Sequence, residues 1–364
     1  MMADGPGRPV VGHVAGHVVG ARPPTIRDVA RMAGVSTATV SRILSGIGEA
    51  RPDTRARVRA AVEALDYRPS GIARSLKLGS TGTIGLIVTD ILNPYFPELV
   101  RAIEDAARAR DLAVMLCNGQ EDADREAAYL ELLSGRRVDG IVVASGSLSE
   151  RHGQWLRAAP VPVVLVNCRL ADGSQPAVLT DSQAAARLAT KHLLELGHRR
   201  IGHITGRPSD AATEERLAGV QAAIREAGLP EAALAIVVGD GHPTGGELGM
   251  RELLTYSRVT GVVCYNDLTA VGAIRAIRDR GLSVPGHVSV VGFDDIDLAR
   301  LVDPPLTTVA QDTEVMGRWA VEHLAAIIRG QFGASSNRSG TLDDKLLLLP
   351  GSLRVRGTSA PPPG

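Results

Sequence analysis

From Thr83 onward, short apolar runs alternate with longer amphipathic segments, and this order constrains the fold more than any other feature of the chain. The runs are IGLIVTD, LAVMLCN, GIVVAS and VVLVN, then IGHITG, AIVVGD, GVVCYND and VSVVGFDD. Helix-like segments lie between them at residues 97–110, 182–196, 213–227 and 268–280. Repeated strand, helix, strand order predicts doubly wound parallel sheets, because parallel neighbours need a crossover long enough to hold a helix. Two groups of strands separated near residues 168–182 predict two similar lobes within a core spanning residues 83–357.

In such sheets ligands bind beyond the carboxyl ends of the strands. There the sequence is polar: Thr89, Asp90, Asn93, Tyr95 and Phe96 follow the first strand, with Ser145, Asn167, Asn266, Asp267, Asp294 and Asp295 at later ones. Carboxylates and amides beside an aromatic ring suit a ligand with many hydroxyls. The plainer alternative for any one of them is a helix cap, since Asn and Asp are favoured N-caps. Their recurrence at strand ends favours a cleft.

Ahead of the core stands TIRDVARMAGVSTATVSRILSG, from Thr25 to Gly46. Thr25 and Asp28 have the spacing of a capping box, and Val29, Met32 and Ala33 fall on one helical face. After Gly34, Ser36 is a natural N-cap, and Val40, Ile43 and Leu44 recur at helical spacing. The remaining face carries Thr37, Ala38, Thr39, Ser41, Arg42 and Ser45, small or polar residues suited to a DNA groove. A helix-turn-helix is the reading; a helical hairpin with a polar outside is the alternative. Pro52 fits the first turn of a third helix, whose stripe is Val58, Ala61, Val62 and Leu65, with Arg51, Arg55, Arg57 and Arg59 mostly off it. Val29, Val40, Val58 and Leu65 are the expected core of an all-α headpiece over residues 25–68.

Charge supports a division of labour. The whole chain is formally neutral, but residues 1–80 hold twelve Lys or Arg against six Asp or Glu. A basic headpiece is therefore joined to an acidic body, and phosphate attraction is expected only at the first. Cys117, Cys168 and Cys264 are far apart without metal or redox spacing, so reduced buried thiols are expected. No apolar run reaches the roughly 18 residues of a membrane span, and residues 1–24 lack the pattern of a signal peptide; they read as a flexible extension. Residues 69–82 read as a linker or as a helix that folds only when docked. Residues 331–344 read as a solvated loop, KLLLLPGSLRVRG as a final strand-like run, and residues 358–364 as a fraying tail. His192, His198 and His203 read as surface and turn residues. No phosphate loop, G-x-S-x-G or H-E-x-x-H occurs, so no enzyme, cofactor or metal is expected.

These residues, with RARVRAAVEALDYRPSGIARSL, RVDGIVV, HLLELGHRRIGHITG, RLAGV, YNDLTAVGAIRA, PPLTTVAQD and LLLLPGSLRVRG, resemble the LacI/GalR family of bacterial transcription regulators. The resemblance runs from about Thr25 to Gly357. It implies a periplasmic-binding-protein-like core behind a helix-turn-helix headpiece. It implies that the helix from Thr37 enters the major groove, with Thr37 and Ala38 discriminating operators and Arg42 at a base edge. Thr25, Arg27, Ser36, Thr39, Ser41, Arg51 and Thr54 would stand near phosphates. Leu76 would be a minor-groove lever in a hinge helix, where Ser70 and Gly71 depart from the family's usual Asn. Arg216, Asn266 and Asp294 match positions that hold effector hydroxyls, with Thr89, Asp90, Phe96, Ser145, Asn167 and Gln311 lining the same cleft. Asn167 stands where many sugar-responsive members have Asp.

The expected function is a homodimeric repressor in the bacterial cytoplasm, at the nucleoid. Its partners are near-palindromic double-stranded operator DNA and a small effector, expected to be a sugar or sugar derivative. A sugar-binding transport component explains the body but leaves the headpiece without a purpose; an enzyme on a nucleotide-binding sheet lacks its phosphate loops.

Overall fold

A computed structural model describes Arg22 and residues 24–44, 50–68, 80–146, 148–330 and 345–363. The expected extension (apart from Arg22 and Pro24), Ser45, the hinge segment 69–79 with Leu76, and the loop 331–344 lie outside the described residues. The chain divides into two units, residues 1–79 and 80–364.

In the first unit, α1 (Ile26–Ala33), α2 (Thr37–Leu44) and α3 (Pro52–Ala64) enclose a small core of Val29, Ala30, Ala33, Val40, Val58, Ala61 and Tyr67. The Asp28 carboxylate accepts from the Thr25 N–H at 3.0 Å and from its hydroxyl at 2.6 Å, fixing the start of α1. These hydrogen bonds hold Asp28 below the usual carboxylate range, with Arg22 and Arg31 adding to the effect. Gly34, at φ 64°, makes the left-handed turn that ends α1, a conformation that costs glycine least. Met32, read on one face with Val29 and Ala33, is 55% exposed, and Ala30 packs in the core beside those two instead. The core face is centred between Val29 and Ala33, and Met32 lies at its edge.

The second unit has two lobes of matching design. In the first, β1 (Thr83–Val88), β2 (Ala113–Asn118), β3 (Gly140–Ala144), β4 (Val163–Val166) and β5 (Ala177–Thr180) are parallel in the order β5-β4-β3-β1-β2. In the second, β6 (Ile201–Ile204), β7 (Leu234–Val237), β8 (Gly261–Cys264), β9 (Ser289–Asp294) and β10 (Thr307–Ala310) repeat it as β10-β9-β8-β6-β7. Helices α4 (Tyr95–Arg108), α5 (Ala123–Gly135) and α6 (Glu150–Arg157) connect the first set. Helices α7 (Ser182–Glu195), α8 (Ala211–Glu226), α9 (Pro243–Tyr256), α10 (Asp267–Asp279) and the short α11 (Leu298–Leu301) follow. The near-unbroken burial of β1, β3, β4 and β9 fits strands covered on both faces.

The lobes are not consecutive halves of the chain, as the two groups of runs suggested. After β10, α12 (Thr313–Ile328) returns to the first lobe, where Met316, Ala320, Val321 and Leu324 join Leu99 and Ile103 in one core. Gly317 permits this: a Cβ there would stand 2.7 Å from that of Ala102. The final run is two strands, β11 (Leu346–Leu349) paired with β5 and β12 (Ser352–Arg354) antiparallel to β10, one in each sheet. The chain thus crosses between lobes three times, near residues 181, 312 and 350.

Three further expectations are corrected. Residues 80–82, assigned to the linker, belong to the core: Asp139 accepts from the Ser80 hydroxyl and the N–H groups of Thr81 and Gly82 at 2.6–2.8 Å. The tail does not fray through residue 363. Thr358 is fully buried, donating to the Val290 carbonyl at 2.7 Å and accepting from the Thr307 N–H at 2.8 Å, while the Ala360 carbonyl accepts from Ser289 and faces His198 Nε2. His198, in the turn before β6, and His203, within β6, are buried and not on the surface, each bonded to a backbone carbonyl.

Candidate functional site

On the headpiece, Ser36 caps α2 by accepting from the Thr39 N–H at 3.1 Å, and its hydroxyl meets that of Thr39 at 2.9 Å. Val40 faces inward, which turns Thr37, Ala38 and Arg42 out to solvent and leaves Ser41 half-buried. Positions 37, 38, 41 and 42 share one helical face. Thr25 stands at the N-cap of α1, Arg27 is exposed in its first turn, and Arg51 and Thr54 bracket the start of α3. Exposed Arg31, Arg55, Arg57 and Arg59 add positive charge to the same small unit.

In the second unit a cleft of about 950 Å³, open to solvent, lies between the lobes at the carboxyl ends of the strands. Seven of the nine residues expected there line it: Thr89, Phe96, Asn167, Arg216, Asn266, Asp294 and Gln311. The centre is Arg216, buried on α8. Its guanidinium lies 3.6 Å from the Phe293 ring centroid and 4.6 Å from that of Tyr265, donates to the Tyr265 carbonyl, and stands 3.9 Å from Asp294. Two aromatic faces and a carboxylate fix a charge that burial alone would penalise. Asp294 ends β9 at φ 116°, a region sparsely populated outside glycine. Burial raises its carboxyl to about 6, against the pull of Arg216 and a hydrogen bond from Gln311. That bond, from Gln311 Nε2, is 2.7 Å, and Gln311 Oε1 in turn accepts from Thr180 at 2.7 Å. Both Thr180 and Gln311 sit at crossings between lobes, so the site is tied to the hinge.

On the facing wall the Tyr95 hydroxyl donates to Asn167 at 3.0 Å, and Tyr95 meets Phe96 edge to face. Asn266 both lines the cleft and caps α10, accepting from the Thr269 N–H at 2.8 Å; cap and cleft coexist in one side chain.

Two expected residues do not line the cleft. Asp90 accepts from the Leu92 N–H at 3.1 Å and closes a turn, and Ser145 points at Glu126, 2.9 Å away. Asp267 is a structural carboxylate beneath the cleft, holding Ile296 N–H and Thr308, and Asp295 turns away to Arg356, with Arg300 and Arg354 nearby. Conversely, Glu121, Arg169, Asp210, Glu215, His242 and Tyr265 line the cleft without having been singled out. Tyr265 was legible, standing between a strand and Asn266. The others lie in loops or on α8, and pairs such as Glu121 with Arg207 and His242, or Arg169 with Glu215, form only when the lobes meet. Among the described residues no group of His, Cys, Asp and Glu could hold a metal ion.

A basic helix-turn-helix unit and a two-lobed core with a polar interlobe cleft define a ligand-responsive DNA-binding regulator. Family comparison agrees: residues 25–70 match bacterial regulatory proteins of the lacI family, and residues 81–344 match periplasmic binding proteins and the sugar binding domain of the LacI family. The chain belongs to the LacI family, as a DNA-binding transcriptional regulator with an effector-binding core. Its relatives include the HTH-type transcriptional repressor PurR of Actinobacillus pleuropneumoniae serotype 5b (strain L20), 37% identical over 306 residues, which cover 84% of this chain and 91% of that protein. The PurR repressor of Aliivibrio salmonicida (strain LFI1238) is 36% identical, over 84% of this chain and 92% of that protein. Among solved structures, the lac repressor dimer bound to operator and the anti-inducer ONPF matches with a TM-score of 0.82 and 27% identity, over 93% of this chain and 100% of that one. A LacI family regulator from Enterococcus faecium with bound ribose matches with a TM-score of 0.67 and 30% identity, over 77% of this chain and 99% of that one.

Proposed function

We propose that the protein is a homodimeric repressor whose operator affinity is set by an uncharged, hydroxyl-rich effector of the sugar class, held between the lobes. The observation that carries the effector reading is the buried Arg216–Asp294 pair, the guanidinium facing two aromatic rings and the carboxylate held by an amide. A charged donor and a charged acceptor side by side suit adjacent hydroxyls, each of which both donates and accepts. Glu121, Asp210, Glu215 and Asp240 also line the cleft, and this excess of carboxylates disfavours phosphorylated ligands. The ribose-bound regulator from Enterococcus faecium supports the same class.

On DNA, Thr37 and Ala38 discriminate bases and Arg42 reads or clamps a base edge. Thr25, Arg27, Ser36, Thr39, Ser41, Arg51 and Thr54 contact or flank phosphates, with Ser45 and the Leu76 lever carried over from the family resemblance. Ala38, too short for a bidentate bond, contributes by apolar contact with a thymine methyl or by close approach. The dimer is supported by apolar side chains left exposed on the edge strands and beside them: Met115 and Leu116 on β2, Ile236 on β7, and Val238, Leu248 and Tyr256. Such patches mark interfaces more often than free surface. Among the described residues no helix is long and apolar enough to cross a membrane; a cytoplasmic site of action follows from the DNA partner.

A thermal-shift screen of sugars, sugar phosphates and nucleosides tests the effector reading, since a ligand of the native state raises the melting temperature. Neutral sugars should stabilise the protein and Arg216→Ala should abolish the shift. Stabilisation by nucleosides or phosphates alone would replace the sugar class.

A further inference from the structure

Behind the cleft, sharing the walls Thr89, Glu121 and Asp210 with it, lies a smaller chamber of about 40 Å³ completed by Ala123 and Glu126 from the first lobe and by Arg207 and Ser209 from the second. Glu126 is 4% exposed. Its carboxylate accepts one hydrogen bond, from Ser145 Oγ at 2.9 Å, and the groups around it bring no compensating charge. His152 on α6 is 3.9 Å away through Nε2, but its Nδ1 accepts from the Ser149 N–H at 3.1 Å, burial lowers its basicity, and Nε2 has no partner. Asp122, the N-cap of α5 on which Glu126 lies, and Asp210, from the facing lobe, both add negative charge. Cys168 at the end of β4 is a buried thiol whose ionisation burial opposes. Among the described residues the chamber holds one guanidinium, that of Arg207, which pairs with Glu121, and His242 also meets Glu121 at 3.2 Å. Among the described residues the chamber therefore holds three carboxylates, two from the first lobe and one from the second, against one arginine.

We propose that closure of the two lobes is coupled to the uptake of one proton by Glu126, with Asp210 of the facing lobe favouring it. On closing, a solvent proton bonds to a carboxylate oxygen of Glu126, and on opening it returns to solvent; no other bond changes. A buried carboxylate faced by further negative charge takes up a proton because its charged form is disfavoured. The direction for Glu126 agrees: burial, with Asp122 and Asp210 adding to it and the Ser145 hydrogen bond opposing it, raises it to about 7, while for Asp210 burial raises the carboxyl against Arg207, Tyr265 and Arg216. Mild acid thus favours the closed core, and any ligand that closes it binds more tightly at pH 6 than at pH 8.

The inference rests on the cleft being the effector site, yet its test needs neither effector nor operator. Nitroxide labels at exposed Glu104→Cys on α4 and Arg225→Cys on α8 report the interlobe distance in the full chain, diluted into unlabelled protein; the native cysteines are buried. Pulsed dipolar spectroscopy between pH 8.5 and 5.5 should find the closed-to-open ratio rising about tenfold per pH unit while one proton is taken up. Glu126→Gln should flatten the dependence, and Asp210→Asn should weaken it. If Glu126→Gln fails to fold by circular dichroism, Asp210→Asn decides alone. A pH-independent ratio in the unsubstituted core overturns the proposal, as does a slope kept in both variants and lost in His242→Gln, which would assign the proton to the Glu121 latch. A flat ratio in a protein whose operator binding still answers to a ligand would remove the proton and leave the regulator reading intact.

Discussion

Arg216 is held by four contacts at once: two aromatic faces, a carbonyl and the Asp294 carboxylate. Arg216→Ala should leave operator affinity within about twofold in a mobility-shift assay while the response to effector falls at least tenfold, the scale of a lost charge-assisted contact. On the headpiece, Arg42→Ala should weaken specific operator binding by about 10- to 100-fold, or 1–3 kcal/mol, with the dimer unchanged in sedimentation. Glu126 supplies a third test. Its folded carboxyl titrates near 7 against an ordinary 4.5, so the native state binds the proton more tightly. Stability is full below about pH 4.5, falls as pH rises towards 7, and is lower by on the order of 2–3 kcal/mol beyond it. Glu126→Gln should therefore raise the unfolding midpoint in urea at pH 8 and give no such gain at pH 4. Asp294 was legible in the sequence because it ends a strand, whereas Arg216, inside α8, was reached only through the family resemblance. Asp90 and Ser145 misled because a polar residue after a strand can close a turn or hold a neighbour as readily as face a ligand. Glu121 and Asp210 were illegible, since their role arises from lobe closure and not from local pattern.

At the scale of elements, the parallel strands and the helix-turn-helix could be read from periodicity, whereas the return of α12 to the first lobe could not. An amphipathic helix carries no label saying which sheet it covers; Gly317 against Ala102 is a long-range fit that only three dimensions reveal. Leu324→Ala, in the shared core of α12 and α4, should cost about 2–5 kcal/mol, read as a lower urea midpoint. The carboxyl-terminal residues escaped the sequence for a related reason. Their composition suggests fraying, but Thr358 and Ala360 satisfy buried groups of β9, β10 and His198. Truncation after Gly357 should destabilise the core by on the order of 3 kcal/mol, the cost of leaving such groups unpaired; an unchanged midpoint would mean that water replaces them freely.

For the molecule as a whole, neutral net charge conceals a basic reader and an acidic sensor, and the account depends on the two acting together in a symmetric pair. Two headpieces related by a twofold axis must read inverted half-sites, one helical turn or a multiple apart. The direct measurement is selection of DNA from a random library by the purified full-length protein, followed by sequencing. The account predicts one enriched near-palindrome, lost when Arg42→Ala replaces the native residue. Enrichment of a single asymmetric site, or of none, would contradict it.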